Sequence, residues 1–532
     1  MTAAEPLFPE TPLAASDPPP PRVRWYHLQL LWLQHPHTRA AYDWLAPLLV
    51  TLLAAVLRLQ GLGHPHTLVF DETYYVKDAW TLMHLGYEGS WGDGANESFV
   101  AGDTDVFTDK PSFVVHPPLG KWIIALGMML LGPGSGWGWR LTTALVGVAA
   151  VLLVFFIGRL LSGSTTVGVV AAFLLAIDGI GIVMSRIALL DNSLMLFVLL
   201  TFFFVLLDRR RTRERILDIV AARAAARPDG AQDRPVPWGP VLWNRPWVLA
   251  AGAAAGAACA VKWSGVYALA AVGIYLVVSD ALARRAAGIG FWPTDAAFRQ
   301  GPVTFLLLVP VAGLVYLGSW TGWFVTDGGY ARDSDPNPFV ALWKFHEQIY
   351  AFHVGLTSPH AYENPAWAWP LLTRPTWMFW KLTPQGDPGC TSPGGCAESI
   401  SSVPNPIIWF AAVAAVLWIV YRFIRTRDWR YGFVLTGIAA TYLPWLLYPE
   451  RTIFQFYTIA ILPFMMLALA FALRDIAGVP GSPPERKQTG RWVVLVFLVV
   501  VTLVSAFFYP VWVGWQVPYD FWRLHNWMPS WV

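Results

Sequence analysis

The chain has 532 residues, of which 55% are hydrophobic, 15% aromatic and only 13% charged, with a formal net charge of +3. So much apolar surface excludes an ordinary soluble domain and argues for an all-α polytopic membrane protein. The near balance of 37 Lys and Arg against 34 Asp and Glu offers no basic face for nucleic acid.

Residues 1–21 are rich in Pro and Ala and lack the apolar core of a cleavable signal peptide, so they read as disordered, within a cytoplasmic N-terminal tail of residues 1–41. Arg22, Arg24 and Arg39 precede the first expected span, 42–60, and the positive-inside rule keeps the N-terminus in the cytoplasm. The segment that follows, 61–138, is then an outer loop. It opens on Gly61-Leu62-Gly63-His64-Pro65-His66, a poor helix former, and continues into Phe70-Asp71-Glu72. It closes on His116-Pro117-Pro118-Leu119-Gly120-Lys121-Trp122. The apolar run 122–131 is too short to span and reads as a helix in the outer interface.

Further spans are predicted at 139–158, 165–180, 192–207, 247–261, 265–281, 302–319, 405–424, 432–447, 453–473 and 492–512, about eleven in all, N-in and C-out. Basic runs at Arg209–Arg215, Arg284-Arg285, Arg422–Arg430 and Arg474–Arg491 fall on the cytoplasmic side of this arrangement. Residues 209–245 read as a cytoplasmic linker. Residues 42–319 form a first transmembrane module, 320–404 a second large outer loop, 405–512 the C-terminal helices and 513–532 an outer tail. In the second loop Cys390 and Cys396 flank Thr-Ser-Pro-Gly-Gly, a spacing suited to a small disulfide loop in an oxidising compartment. The Trp-rich stretch from Trp367 to Trp380 suits an element resting on the membrane surface.

This topology gathers Asp71, Glu72, His116, Lys121, Arg140, Arg186, Asp191, Lys262, Glu450 and Arg451 at one face. A lone acidic pair is usually solvated surface, and a lone cation at a helix end is as readily an anchor. Ten charged or polar groups at one level are harder to dismiss, because ionisable groups at membrane depth are costly unless paired or functional. Carboxylates mixed with cations fit a lipid phosphate whose headgroup is attacked by a hydroxyl: the carboxylate takes the proton, and Arg or Lys stabilises the departing phosphate. A transporter of lipid-linked sugars would instead show midplane polar residues and inverted repeats, and a nonenzymatic subunit would use the acidic pair structurally.

The chain resembles the actinobacterial type of protein O-mannosyltransferase, glycosyltransferase family 39 of the GT-C fold, from about residue 42 to 512. The resemblance is carried by the spacing from Arg58 to Phe70-Asp71-Glu72, by His116 to Lys121, Arg140, Arg186-Ile187-Ala188-Leu189-Leu190-Asp191 and Val261-Lys262-Trp263, and by Ser358-Pro359-His360-Ala361-Tyr362 and Leu443-Pro444-Trp445 with Arg451. It implies inverting transfer of mannose from polyprenyl phosphate mannose to Ser or Thr of an exported polypeptide at the outer face of the plasma membrane, with the secretion translocon as a candidate partner. Carried onto these residues, it makes Asp71 the general base with Glu72 beside it and Arg58 a supporting residue. Arg140, His116, Lys121, Arg186, Asp191, Lys262 and Arg451 become candidates for phosphate or sugar contact. It implies no cofactor, a divalent ion held by Asp71 and Asp191 being the alternative. Another GT-C transferase, moving an aminosugar or pentose onto a lipid or polysaccharide, would present the same charges. Eukaryotic members insert a soluble MIR domain in the second outer loop, and residues 320–404 are too short to hold one.

Overall fold

The apolar runs fold as helices because nothing else satisfies their backbone polar groups in lipid. The computed structural model describes residues 36–226, 236–479 and 481–532; most of the expected N-terminal tail and part of the 209–245 linker lie outside the described residues. The helices are α1 (Pro36–Leu59), α2 (Glu72–Leu85), α3 (Ala95–Ala101), α4 (Leu119–Leu131), α5 (Gly136–Ser162), α6 (Thr165–Ile177), α7 (Gly179–Arg186) and α8 (Asp191–Ala225). They continue with α9 (Pro246–Val261), α10 (Gly265–Ala286), α11 (Gly301–Ser319), α12 (Pro338–Gly355), α13 (Pro406–Thr426), α14 (Trp429–Tyr442), α15 (Leu462–Ala477) and α16 (Pro484–Val513). Residues Pro47–Val532 make one compact unit.

Among the described residues, seven helices are long and apolar enough to cross a membrane: α1, α5, α8, α10, the run Trp292–Ser319 that ends in α11, α13 and α16. The pair α6 and α7, bent by 60°, makes an eighth. The other three of the eleven expected spans fall on α9, α14 and α15, helices of 16, 14 and 16 residues, shorter than the ~20 residues a span requires. Short 3₁₀ turns at Leu443–Leu447 and Gln455–Ala460 extend the chain between α14 and α15.

Local chemistry sets the breaks. Asp178 ends α6 and caps α7, its side chain accepting from the amides of Ile180 and Gly181 and from Asn405 N at 3.1 Å. Ser135 and Ser164 cap α5 and α6, and Asn405 caps α13 with Pro406 at its first position. In the Ala/Gly-rich α9, a Cβ at Gly252 would lie 2.5 Å from Leu308 O and one at Gly256 2.3 Å from Ala312 O, so α9 and α11 meet backbone to backbone.

Several expectations change. The basic run after residue 208 is helical, because α8 continues without a break to Ala225, so the linker is shorter than its composition suggested. The fold is helical but carries two small sheets. β1 (Gly89–Trp91) pairs antiparallel with β2 (Phe107–Pro111) in the segment between α1 and α5. β3 (Trp377–Thr383), β4 (Cys396–Ser401) and β5 (Val517–Pro518) form a second, β3-β4-β5. The Trp-rich stretch therefore folds inward: Trp369 and Trp377 are buried, Trp377 Nε1 donates to Trp531 O at 2.6 Å, and only Trp367 and Trp380 are exposed. The exposed aromatic face belongs instead to α12, through Phe339, Trp343 and Tyr350. Cys390 and Cys396 are disulfide-bonded at the start of β4.

Candidate active site

Asp71 sits at the N-cap of α2, immediately after Phe70, whose φ of 50° is left-handed. A bulky residue rarely adopts that conformation unless its surroundings impose it. Here the Phe70 ring is wedged edge-on among His360, Phe454 and Phe456 at centroid distances of 6.4, 6.0 and 5.6 Å. The turn sets the entry of α2, and the helical dihedrals of Asp71, φ −71° and ψ −4°, then point Asp71 and Glu72 about 100° apart around the helix axis.

Glu72 is fully buried and its carboxylate is spoken for. Arg140 Nε and Nη2 each donate to it at 2.7 Å, Val69 N at 2.9 Å and Ala188 N at 2.8 Å. Arg140, also fully buried, gives its remaining hydrogens to the carbonyls of Leu62, Pro65 and Thr67 at 3.3, 3.0 and 2.9 Å. This fork clamps the 62–72 loop onto α5 and onto the residues following α7. Arg186 similarly ties the end of α1 through the carbonyls of Arg58, Gln60 and Gly61 at 3.0, 2.7 and 3.1 Å. Arg58 donates to Ser185 Oγ and to the carbonyls of Ala176 and Leu175. Lys121 pairs with Glu88 and donates to His116 O at 3.2 Å. Glu72, expected beside the base, and Arg140, Arg186 and Lys121, expected at the phosphate or sugar, are each committed to protein partners, and neither they nor Asp71 line the cavity described next.

That cavity, of about 270 Å³, is lined by His116, Asp191, Lys262, Trp263, His353 and Arg451 among others. Asp191 opens α8 and Lys262 follows α9, and their side chains meet at 2.7 Å. Lys262 Nζ also lies 5.1 Å from the ring centroid of Tyr457. The Lys262 charge acts on Asp71 as well, and Tyr75, one turn along α2, hydrogen-bonds the Asp71 carboxylate. Burial raises the Asp71 carboxyl to about 6 against the pull of Lys262, with Asp191 adding to the rise. A carboxylate poised near neutrality is what a general base requires. Burial, reinforced by Lys262 and His353, holds His116 well below its ordinary value, so it is neutral at pH 7. Its ring lies 6.1 Å from Tyr75 and 5.4 Å from His353.

Two polar atoms of cavity-lining residues are buried without partners, His116 Nδ1 and Arg451 Nη1. Buried polar groups are normally satisfied, so orphans beside a cavity mark where a ligand would bond. Among the described residues no three His, Cys, Asp or Glu side chains gather as a metal group, and the Asp191 carboxylate is occupied by Lys262.

Comparison with known proteins adds to this geometry. The model of the family described as dolichyl-phosphate-mannose-protein mannosyltransferase matches residues 115–226, and that of the C-terminal four-transmembrane region of protein-O-mannosyltransferase matches 338–531. The polyprenol-phosphate-mannose–protein mannosyltransferase of Mycolicibacterium smegmatis (strain MKD8) is 35% identical, over 92% of this chain and 93% of its own. The chain belongs to the protein O-mannosyltransferase family. The proteins of the same description from Mycobacterium tuberculosis (strain ATCC 25618 / H37Rv) and Corynebacterium glutamicum are 34% and 29% identical, covering 92% and 97% of this chain and 92% and 96% of their own. The S. cerevisiae protein O-mannosyltransferase Pmt1-Pmt2 complex bound to the sugar donor shares the fold, with a TM-score of 0.67 at 14% identity over 92% of each chain. The GT-C architecture expected from the motifs is therefore shown.

The sequence did not single out Tyr75 beside Asp71 or Trp263, His353, Trp445 and Tyr457 around the cavity. Aromatic residues are so common in the chain that none stood out by type. The one usable signal was adjacency, Trp263 beside Lys262 and Trp445 inside the Leu443-Pro444-Trp445 motif.

Proposed function

We propose that this protein O-mannosyltransferase moves mannose from polyprenyl phosphate mannose to a Ser or Thr hydroxyl of an exported polypeptide, at the outer face of the plasma membrane, with inversion. Asp71 accepts the hydroxyl proton as the acceptor oxygen attacks the anomeric carbon. The bond from that carbon to the phosphate oxygen breaks, and the polyprenyl phosphate leaves with its negative charge facing Lys262 and Arg451. A phosphate leaving group needs little protonation, so one base and two cations suffice where a glycosidase would need a second carboxyl.

The observation carrying this reading is the cavity lined by Asp191, Lys262 and Arg451, in which Arg451 keeps a buried Nη1 unpartnered; Asp71 lies outside that lining but within the field of Lys262 and Asp191, its carboxyl raised to about 6 by burial. The acceptor enters as an extended segment, the state in which a chain leaves a secretion translocon. Transfer proceeds without metal, since Asp191 is neutralised by Lys262 at 2.7 Å rather than free to ligate.

The test is the enzyme in nanodiscs with polyprenyl phosphate mannose and a Ser/Thr/Pro-rich peptide, with and without EDTA. Mannopeptide formed at equal rates in both arms, one per donor consumed, is expected. An unmodified peptide alongside a mannosylated lipid or polysaccharide would reassign the acceptor; a rate lost to EDTA and restored by a divalent cation would remove the metal-free route.

A further inference from the structure

We propose that His353, held as the neutral Nε2–H tautomer, is a positioning residue that aims the Arg451 guanidinium into the cavity. It rests on the reading above, in which Arg451 faces the donor phosphate.

His353 lies in the last turn of α12, and Arg451 lies between α14 and α15. They meet twice. Arg451 Nε donates to the His353 carbonyl at 3.1 Å, and Nη2 stands 3.2 Å from His353 Nδ1. The other ring nitrogen, Nε2, is 2.9 Å from Val115 O. A carbonyl oxygen only accepts, so Nε2 must carry the hydrogen; Nδ1 is then a lone pair, the one form that can accept from a guanidinium. Burial lowers the His353 pKa to about 4, which agrees with a neutral ring.

Both ring nitrogens are used in this arrangement, so His353 has none left for substrate and acts through Arg451. Because the guanidinium is planar and rigid, fixing Nε and Nη2 also fixes the direction of Nη1. Nη1 is the nitrogen left buried without a partner, and the guanidinium carbon stands 5.7 Å from the ring centroid of Trp445. Val115 immediately precedes His116, whose Nδ1 is the other orphan, so one imidazole registers both walls of the cavity.

The simpler alternative is that His353 merely ties α12 to the 115–116 segment. Two amide substitutions separate the readings, because each preserves a different half of the ring. His353→Asn places an acceptor near the Nδ1 position and gives up the Val115 bond, whereas His353→Gln keeps a donor near Nε2 and offers Arg451 no side-chain acceptor, the backbone carbonyl at 353 being retained in both.

The experiment measures KM for polyprenyl phosphate mannose and kcat at saturating peptide, for both variants, for Arg451→Gln, and for His353→Gln combined with Arg451→Gln. We expect donor KM to rise about ten-fold in His353→Gln, the scale of a lost charged hydrogen bond. It should stay within about two-fold in His353→Asn and rise no further in the double variant than in Arg451→Gln alone. The reverse order, with Gln active and Asn impaired, would establish the tie and overturn the proposal, as would additive losses in the double variant. An Arg451→Gln enzyme with unchanged donor KM would instead remove the phosphate contact of Arg451 itself. A raised KM there with a normal one in His353→Gln would leave that contact standing and sink only His353.

Discussion

Truncating Glu72 to Ala should unfold the 62–72 loop rather than disarm the chemistry. The carboxylate holds two nitrogens of Arg140 at 2.7 Å and the amides of Val69 and Ala188 at 2.9 and 2.8 Å, with both charged side chains 0% exposed. Removing one member leaves the other charge buried without its counter-ion, which costs about 3–5 kcal/mol. Glu72→Ala and Arg140→Ala should each lose about that much in equilibrium unfolding by SDS of the detergent-solubilised enzyme. The double variant should lose far less than their sum, because the second truncation removes the charge that the first stranded. Glu72→Gln should fall between, since its amide oxygen still accepts while its NH₂ faces a guanidinium. A Glu72→Ala enzyme with wild-type unfolding and no turnover would refute the reasoning and return Glu72 to the reaction.

The Asp71 carboxyl, raised to about 6, predicts an acid limb in the pH dependence of kcat/KM. Activity requires the ionised form, so it should fall about ten-fold per unit below pH 6; a flat profile from pH 5 to 8 would remove the limb. Because Lys262 favours the ionised Asp71, Lys262→Met should move the limb to higher pH as well as weaken donor binding, read in the same titration. Gly256→Leu, whose Cβ would lie 2.3 Å from Ala312 O, should part α9 from α11 and lower folded yield, measured by gel filtration; a well-folded, fully stable variant would contradict the close packing.

Much of the helical architecture was legible because hydropathy marks the long apolar runs. The eleven expected spans all fall on helices, although three of those helices are short. What hydropathy omits is azimuth, the direction a side chain takes around its helix. Arg140 and Arg186 sit near helix ends, as read, but they point at the carbonyls of the 60–67 turn. That turn has no helix to satisfy its carbonyls, so it draws the strongest multidentate donors nearby. Asp71 and Glu72 separate because Asp71 already has helical dihedrals, φ −71° and ψ −4°, which set consecutive side chains about 100° apart around the axis; the turn that aims the pair rests on Phe70 at φ 50°, and no residue type announces that a Phe will take a left-handed conformation. His353 was invisible because its partner lies 98 residues away, on an element whose placement only the packing decides.

The most direct measurement is Asp71→Asn in nanodiscs, with donor binding and turnover followed on the same preparation. The substitution keeps the size and the hydrogen-bonding reach of the side chain and removes only its capacity to take a proton. Turnover should fall by about 10²–10⁴ while the Kd for polyprenyl phosphate mannose stays within a few-fold of wild type. Undiminished turnover, or a loss matched by an equal loss of donor affinity, would contradict Asp71 as the base.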